Sequence, residues 1–180
     1  MIWLRFLIDE CGANVNVFDA RKRTPLHCVV SSESSFEMVK FLLDHAATVD
    51  ALTLDDRTPL HIIVAAESSL SEKEVRLKIA RLLLERGANV NAKASIGIGP
   101  RHDRQVGMTP LHYAVYNNDV KMVELLLAFG ADKNQKSYLR EGVHLREAQS
   151  PLECARAMEH TYRRRPEILE ILNLLSKTET

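Results

Sequence analysis

The chain has few of the residues that cross-link a fold or give it an overall charge. It holds three cysteines in 180 residues, and its formal net charge at pH 7 is zero. An odd number of cysteines without metal-ligand spacing argues against a disulfide framework and indicates a reducing, intracellular compartment, the cytoplasm first and the nucleus as the alternative. Zero net charge leaves no overall field that would draw the chain to nucleic acid or to an anionic membrane.

Long apolar runs are also missing. No stretch approaches the roughly 18 apolar residues that a membrane-spanning helix needs. The first segment, MIWLRFLIDECG, carries Arg5 within its apolar part and acidic residues directly after it, where a signal peptide would place its cleavage site. The sequence therefore predicts neither a secretory leader nor a membrane partner.

The short motifs of common catalytic and cofactor sites are absent as well. The sequence contains no nucleophile elbow, HExxH, P-loop or paired-carboxylate arrangement. Gly97 and Gly99 are not followed by the lysine and hydroxyl residue of a phosphate-binding loop. The arginines at 163–165 fall short of the cluster of about five basic residues that marks a nucleic-acid patch. We predict a protein that is not an enzyme and that binds no metal, cofactor, small-molecule substrate or nucleic acid.

One unbroken unit organises the sequence, GMTPLHYAVYNNDVKMVELLLAFGADKN at residues 107–134. Thr109 is placed to cap a helix, and Pro110 takes the first helical position, where its missing N–H costs nothing. Asn117-Asn118-Asp119 interrupts the apolar run, after which apolar residues recur at helical spacing to about Phe129. Gly130 supplies the left-handed residue that ends the second helix. The unit is a helix, a tight turn, a second helix and an extended loop.

The same landmarks recur along the chain. The helix starts are Thr24-Pro-Leu-His27, Thr58-Pro-Leu-His61, Thr109-Pro-Leu-His112 and the degenerate Ser150-Pro-Leu-Glu153. The helix ends are Gly12-Ala-Asn-Val-Asn16, Ala46-Ala-Thr-Val-Asp50, Gly87-Ala-Asn-Val-Asn91 and Gly130-Ala-Asp-Lys-Asn134. Their spacing predicts an inserted loop at 67–74, before a second helix at 75–86, and two lengthened connecting loops at 92–106 and 136–149.

These motifs resemble the ankyrin repeat, whose period is about 33 residues. The resemblance covers nearly the whole chain and implies an all-α solenoid of stacked helix-turn-helix units with projecting hairpin-like fingers. We expect a single domain, divided into a partial repeat at 1–18, repeats at 19–50 and 51–91, a long finger and repeat at 92–134, and a long finger and C-terminal capping repeat at 135–180. Ala46 replaces the usual turn glycine, and Glu153 replaces the motif histidine.

The first helix, at residues 2–8, lacks the partner helix that should precede it. Trp3, Phe6 and Leu7 would then have no upstream element to pack against. Either this helix caps the stack in an unusual way, or the chain was cut from a longer protein, and we favour the second interpretation.

The motif histidines are expected to be structural. In the family this side chain bonds the capping threonine and neighbouring backbone, which assigns that role to His27, His61 and His112. Stacking separates successive repeats by about 10 Å, which argues against a shared metal site. The cysteines have no identifiable base partner, so a Cys–His nucleophile is disfavoured.

The resemblance implies a non-catalytic protein–protein interaction module that binds a protein partner through its finger tips and the concave face of its first helices. The alternative is a recognition domain cut from a larger protein such as an enzyme, channel or ubiquitin-ligase adaptor. Both lengthened loops flank the third repeat, which also carries aromatic residues, so we predict the binding site there. The predicted contacts favour a partner with acidic and apolar patches. They are Arg101, Arg104, Met108, Tyr113, Tyr116, Asn117, Tyr138, Arg140 and Arg146.

The resemblance also implies a modification. In some ankyrin repeats the asparagine that closes the turn is hydroxylated, aided by a leucine eight residues upstream. Asn91 with Leu83 and Asn134 with Leu126 match this pattern. The competing interpretation is an asparagine that only caps its own turn.

Overall fold

A computed structural model describes residues 2–30, 36–66, 70–95, 105–141, 144–147, 149–161 and 166–177. Within these residues the chain forms nine α-helices and three short β-strands. The helices are α1 (Ile2–Asp9), α2 (Pro25–Val30), α3 (Phe36–Asp44), α4 (Pro59–Ala65), α5 (Leu70–Glu85), α6 (Pro110–Tyr116), α7 (Val120–Ala128), α8 (Pro151–Thr161) and α9 (Pro166–Lys177). The strands are β1 (Gln105–Val106), β2 (Tyr138–Glu141) and β3 (His144–Glu147). No helix in these ranges is both long and apolar enough to cross a bilayer.

The helices form two parallel rows. Within each repeat the two helices pack against each other, as α2 does with α3, α4 with α5, α6 with α7, and α8 with α9. Between repeats, α2, α4, α6 and α8 contact one another in series, and α3, α5, α7 and α9 do the same. The predicted stack of helix-turn-helix units is therefore confirmed.

One apolar core runs through the stack. The leucine of each helix-start motif is buried, and the second helices add equivalent buried leucines. These residues are Leu26, Leu60, Leu111 and Leu152 in the first row, and Leu42, Leu83 and Leu126 in the second. Burying one such side chain stabilises the fold by about 1.5–3 kcal/mol, so the stacked leucines supply a large part of the driving force.

The turns after the second helices share one geometry. Ala46 has φ 62°, in the same left-handed region as Gly12, Gly87 and Gly130. In each of three repeats the N–H that follows the turn donates to a carbonyl five residues earlier, at 2.9 Å from Ala47 and 3.0 Å from its two counterparts. The prediction that Ala46 takes the glycine conformation is confirmed.

The predicted inserted loop is partly wrong. Residues 67–69 lie outside the described residues, but α5 begins at Leu70, so the segment up to Glu74 is helical. Glu72, Lys73 and Glu74 are good helix formers with no Gly or Pro among them. The serines at 68, 69 and 71 made the segment resemble a loop, although serine is also common where a helix begins.

The last two fingers form a small antiparallel sheet in the order β1-β2-β3. Val106 lies opposite Tyr138, and Tyr138 lies opposite Glu147. An isolated bridge between Ala94 and Met108 closes the base of the third finger. The hairpin-like fingers expected from the resemblance thus include a β-hairpin, which the expectation of an almost entirely helical chain did not contain.

The first helix leaves an apolar face uncovered. Trp3 is 76% exposed and Phe6 is 48% exposed, and their rings meet edge to face at 6.3 Å. Leu4 and Ile8 turn toward the core instead. This is the exposure expected of a second helix without a preceding partner.

Candidate functional site

The helix starts are built around a threonine–histidine pair. In each of the first three repeats the histidine Nδ1 accepts the threonine backbone N–H and lies 2.9 Å from its Oγ1. The backbone distances are 3.1 Å at His27, 3.2 Å at His61 and 3.0 Å at His112. The side chain therefore satisfies a backbone donor that the helix itself leaves unpaired.

The other ring nitrogen connects each repeat to the next. Nε2 of His27 lies 3.1 Å from the Arg57 carbonyl oxygen, and Nε2 of His61 lies 3.2 Å from that of Met108. Nε2 of His112 makes the same contact with Gln149 at 3.0 Å. A carbonyl only accepts and a backbone N–H only donates, so each ring must be neutral with its proton on Nε2. The expected structural role of these histidines is confirmed.

Burial holds the histidines in this neutral form. It lowers the pKa of His61 and of His112 to about 4, against the hydrogen bonds to the next repeat's carbonyls, which raise it. Burial lowers the pKa of His27 in the same direction. Protonating Nδ1 would also turn an acceptor into a donor facing the threonine N–H. These rings are therefore poorly suited to proton transfer near neutral pH.

Glu153 keeps only the local half of this arrangement. Its Oε2 accepts the Ser150 backbone N–H at 2.7 Å, and Ser150 Oγ accepts the Glu153 backbone N–H at 3.2 Å. That backbone bond lowers the pKa of Glu153. A carboxylate has no proton to donate to a carbonyl, so the fourth repeat retains the cap without the inter-repeat donor.

A cavity of about 540 Å³ opens between the first two fingers and the exposed side of α2 and α4. Three arginines line it, together with an apolar surface formed by both the finger and the helix. The lining residues are Arg21, Arg23, His27, Thr53, Leu54, Asp55, Arg57, Ile62, Ala65 and Ala66. The arrangement can hold an apolar group against the helix while presenting cations at the rim.

Comparison with known proteins identifies the repeated unit. The family profile described as ankyrin repeats in three copies matches residues 3–94, and the profile of the single ankyrin repeat matches residues 106–138. The chain belongs to the ankyrin repeat family. Ankyrin repeats are in general non-catalytic modules for protein interaction.

Three relatives illustrate how widely these ankyrin repeats occur. The chain is 50% identical over 62 residues to an ankyrin repeat and LEM domain-containing protein 1 homolog of Caenorhabditis elegans, covering 34% of this chain and 7% of the relative. It is 34% identical over 129 residues to the transient receptor potential channel pyrexia of Drosophila melanogaster, covering 72% and 12%. It is 33% identical over 132 residues to a putative ankyrin repeat protein of Rickettsia bellii, covering 72% and 34%. The chain thus spans about a third or less of these relatives.

Two of the predicted partner contacts lie in the ankyrin core. Met108 is fully buried, and Tyr113 is 3% exposed with its ring edge-on to His61 at 6.0 Å between centroids. Neither side chain can touch a partner while the fold is intact, so their selection as surface contacts is wrong. Residue type was weighed without knowing which face of α6 meets α4.

Three other predicted contacts are partly accessible. Tyr116, Asn117 and Tyr138 are half-buried. The Tyr116 hydroxyl oxygen lies 3.4 Å from Cys154 Sγ, and Asn117 Nδ2 donates to the Val64 carbonyl at 3.1 Å. Arg101 and Arg104 lie outside the described residues, and only the backbone of Arg140 and Arg146 is described, in β2 and β3.

The turn asparagines differ in how firmly they are held. Asn91 Nδ2 donates to the Gly130 carbonyl at 3.2 Å, and its Oδ1 accepts the Asp132 N–H at 2.8 Å. Asn16 makes the same pair of bonds to Ala46 and Thr48 at 3.1 and 2.8 Å. Asn134 is exposed. The two candidate hydroxylation sites therefore present their side chains differently, with Asn91 bridging two ankyrin repeats.

Arg76 is a buried residue that sequence reasoning missed. Its Nε donates to the Ile63 carbonyl at 3.0 Å and its Nη2 to that of Val64 at 2.9 Å, and Nη1 lies 3.9 Å from Asp119 Oδ2. The arginine thereby closes the end of α4, where Ala65 and Ala66 reach the groove. A charged residue between the apolar Val75 and Ile79 on one helix face is the signal that could have revealed it.

Proposed function

We propose that this chain is a non-catalytic protein-interaction module that binds a protein partner through its finger tips and the concave row formed by α2, α4, α6 and α8. The observation that carries the proposal is this continuous row of first helices, edged by fingers whose bases are fixed by the histidine bonds. An intracellular location accords with the free thiols of Cys11 and Cys28.

The alternative is a recognition domain of a larger protein, such as an enzyme, a channel or a ubiquitin-ligase adaptor. The observation that favours it is length, because the chain covers 7%, 12% and 34% of the three relatives described above. Both versions assign the same work to these repeats. They differ in whether the bound partner is a separate protein or is delivered to another domain.

We place one partner contact at the third repeat and its two long fingers. The half-buried Tyr116, Asn117 and Tyr138 provide its aromatic and polar part, and Arg101, Arg104, Arg140 and Arg146 would add positive charge. Tyrosine and arginine are common interface hot spots. A partner surface with acidic and apolar patches would suit this composition.

The test is affinity for a partner captured on the full chain and identified by mass spectrometry. Tyr116→Ala should weaken binding at least tenfold, because hot-spot truncation typically costs about 2 kcal/mol or more. Arg104→Ala should weaken it less, since rim charges mainly affect association. If both variants bind as well as the wild type while Arg21→Ala or Arg57→Ala abolishes binding, the assignment to the third repeat is wrong.

We also propose Asn134, ahead of Asn91, as the hydroxylated asparagine. Asn134 is exposed, whereas both groups of the Asn91 carboxamide are bonded to the next turn. Incubation with an ankyrin asparaginyl hydroxylase should add about 16 Da to the wild type and nothing to Asn134→Ala. No mass change in the wild type, or an unchanged gain in the variant, would reject the preference.

A further inference from the structure

We infer that the cavity between the first two fingers is a second docking site, which binds an extended peptide segment carrying an acidic side chain close to a leucine-like one. This inference rests on the proposed function as a protein-interaction module and names what one part of the concave face recognises. It concerns repeats one and two and uses none of the residues assigned to the third-repeat contact.

The floor of the cavity suits an apolar side chain. Leu54 on the second finger is 59% exposed, and Ile62, Ala65 and Ala66 on and after α4 are half-buried. The two alanines leave room that larger residues would fill. A volume of about 540 Å³ lies within the range of roughly 300–1,000 Å³ found for ligand pockets. An exposed apolar floor of this size gains free energy when a peptide side chain covers it.

The rim has one arginine whose charge is available. Arg21 is exposed, and its guanidinium has no hydrogen-bond or ion-pair partner among the described residues. Arg23, by contrast, lies 2.8 Å from Asp19, and Arg57 lies 3.6 Å from Asp55. A guanidinium can pair with a carboxylate through two parallel hydrogen bonds.

The acidic residues near the rim do not reverse this preference. Asp19 is bonded to Arg23 through its side chain and also accepts the backbone N–H groups of Arg21 and Arg23, at 2.8 and 2.9 Å. Asp56 accepts the hydroxyl of Ser95 on the third finger. Asp55 is the one carboxylate among the cavity lining residues, against three arginines. The rim therefore favours an acidic peptide over a basic one.

The finger tips are held in place before any ligand binds. Leu54 N–H donates to the Arg21 carbonyl at 3.1 Å, which joins the first finger to the second. Thr53 Oγ1 accepts the Arg57 N–H at 3.2 Å within the second finger. Preorganisation lowers the entropic cost of binding. Since the facing backbone groups are already paired here, the peptide is recognised by its side chains and does not extend a sheet.

The experiment is a titration of the ¹⁵N-labelled full chain with short peptides, followed by amide chemical shifts. The probes are acetylated, amidated glycine–serine peptides that carry one glutamate and one leucine, separated by zero, one, two or three residues. At least one of them should shift the amides of Arg21, Leu54, Ala65 and Ala66, with a millimolar or tighter Kd. The same peptide with lysine in place of glutamate should bind at least tenfold more weakly.

Matched variants decide which groups are responsible. Arg21→Glu should weaken the peptide at least tenfold, and Ala65→Phe should do so by filling the floor. Arg81→Glu makes the same charge reversal at an exposed arginine of α5 and should leave the affinity unchanged. Equal binding of the lysine peptide, or equal binding by Arg21→Glu, would overturn the inference.

The titration separates this inference from the proposed function. No shift at several millimolar peptide, or shifts confined to residues around Tyr116 and Tyr138, would remove the docking site and leave the interaction module standing. Conversely, a chain that binds the glutamate peptide at Arg21 while no protein partner depends on Tyr116 would retain the docking site and reject the third-repeat assignment.

Discussion

Acidification should destabilise this chain through its motif histidines well before most carboxylates titrate. His61 and His112 have a pKa of about 4 when folded, against an ordinary value of 6.5. The folded state therefore binds fewer protons than the unfolded state across this interval. The stability that these neutral side chains contribute is fully present above pH 6.5 and is lost as the pH falls toward 4.

The size of the effect follows from the separation of the two pKa values. At pH 5 an unfolded histidine is mostly protonated while His61 and His112 remain mostly neutral in the fold. The difference costs about 2 kcal/mol for each residue relative to pH 7, or about 4 kcal/mol for both. A typical domain is stable by about 5–15 kcal/mol, so the loss is a large part of the total.

Urea denaturation at pH 7 and pH 5, followed by circular dichroism, measures this loss directly. His112→Gln removes one titrating group and keeps a side chain able to complete the helix cap, as Glu153 does in the fourth repeat. The variant should be less stable than the wild type at pH 7, because the bond to Gln149 is lost. Its further loss between pH 7 and pH 5 should be about 2 kcal/mol smaller.

The control is His45→Gln, which changes an exposed histidine paired with Asp9 and leaves the buried rings in place. It should show most of the wild-type loss. If His112→Gln loses as much stability as the wild type between the two pH values, burial of the neutral ring is not the source of the acid sensitivity and the reasoning fails.

Three further substitutions test individual contacts by urea or thermal denaturation. Ala46→Gly should stabilise the chain by about 1 kcal/mol, because φ 62° strains any residue with a β-carbon; an unchanged melting temperature would contradict this. Asp50→Asn should add up to about 1 kcal/mol, since an amide could donate to the next turn as Asn16 does and would remove a negative charge near the carbonyl end of α5; lower stability at pH 7 would show that the carboxylate bonds to the Asn89 N–H are worth more. Arg76→Ala should cost about 3 kcal/mol or more by leaving buried carbonyls unpaired, and a cost below about 1 kcal/mol would mean that water replaces the guanidinium.

The helix boundaries were predictable because their causes are local. Thr109, Pro110 and Gly130 each act on the backbone within one turn, and the same residue types predict α3 and α7 to within a residue or two. The start of α5 was not predictable in this way. There the serines and the charged residues after them are compatible with both a loop and a helix, and packing against α4 decides between them.

The candidate site was harder to predict, because exposure depends on contacts between repeats. Tyr113 has the residue type of a hot spot, yet the ring of His61 from the preceding repeat lies against it. The groove beside Arg21 requires Leu54 and Ala65 to face one another across a finger and a helix, which no spacing along the sequence reveals. Loop length and aromatic content drew attention to the third repeat, while the cavity lies beside short loops and alanines.

The bond from each histidine to the following repeat ends on a main-chain oxygen, which every amino acid possesses. The receiving positions are Arg57, Met108 and Gln149, which have no chemistry in common beyond standing directly before the next Thr or Ser. The loop that leads to that position is consequently free to change in length and sequence. One such loop here is far longer than its predecessor, and the bond across it is intact. The scaffold thus separates inheritance of its architecture from variation of its recognition surface, because the invariant half of each joint is a histidine and the other half makes no demand on the genetic code.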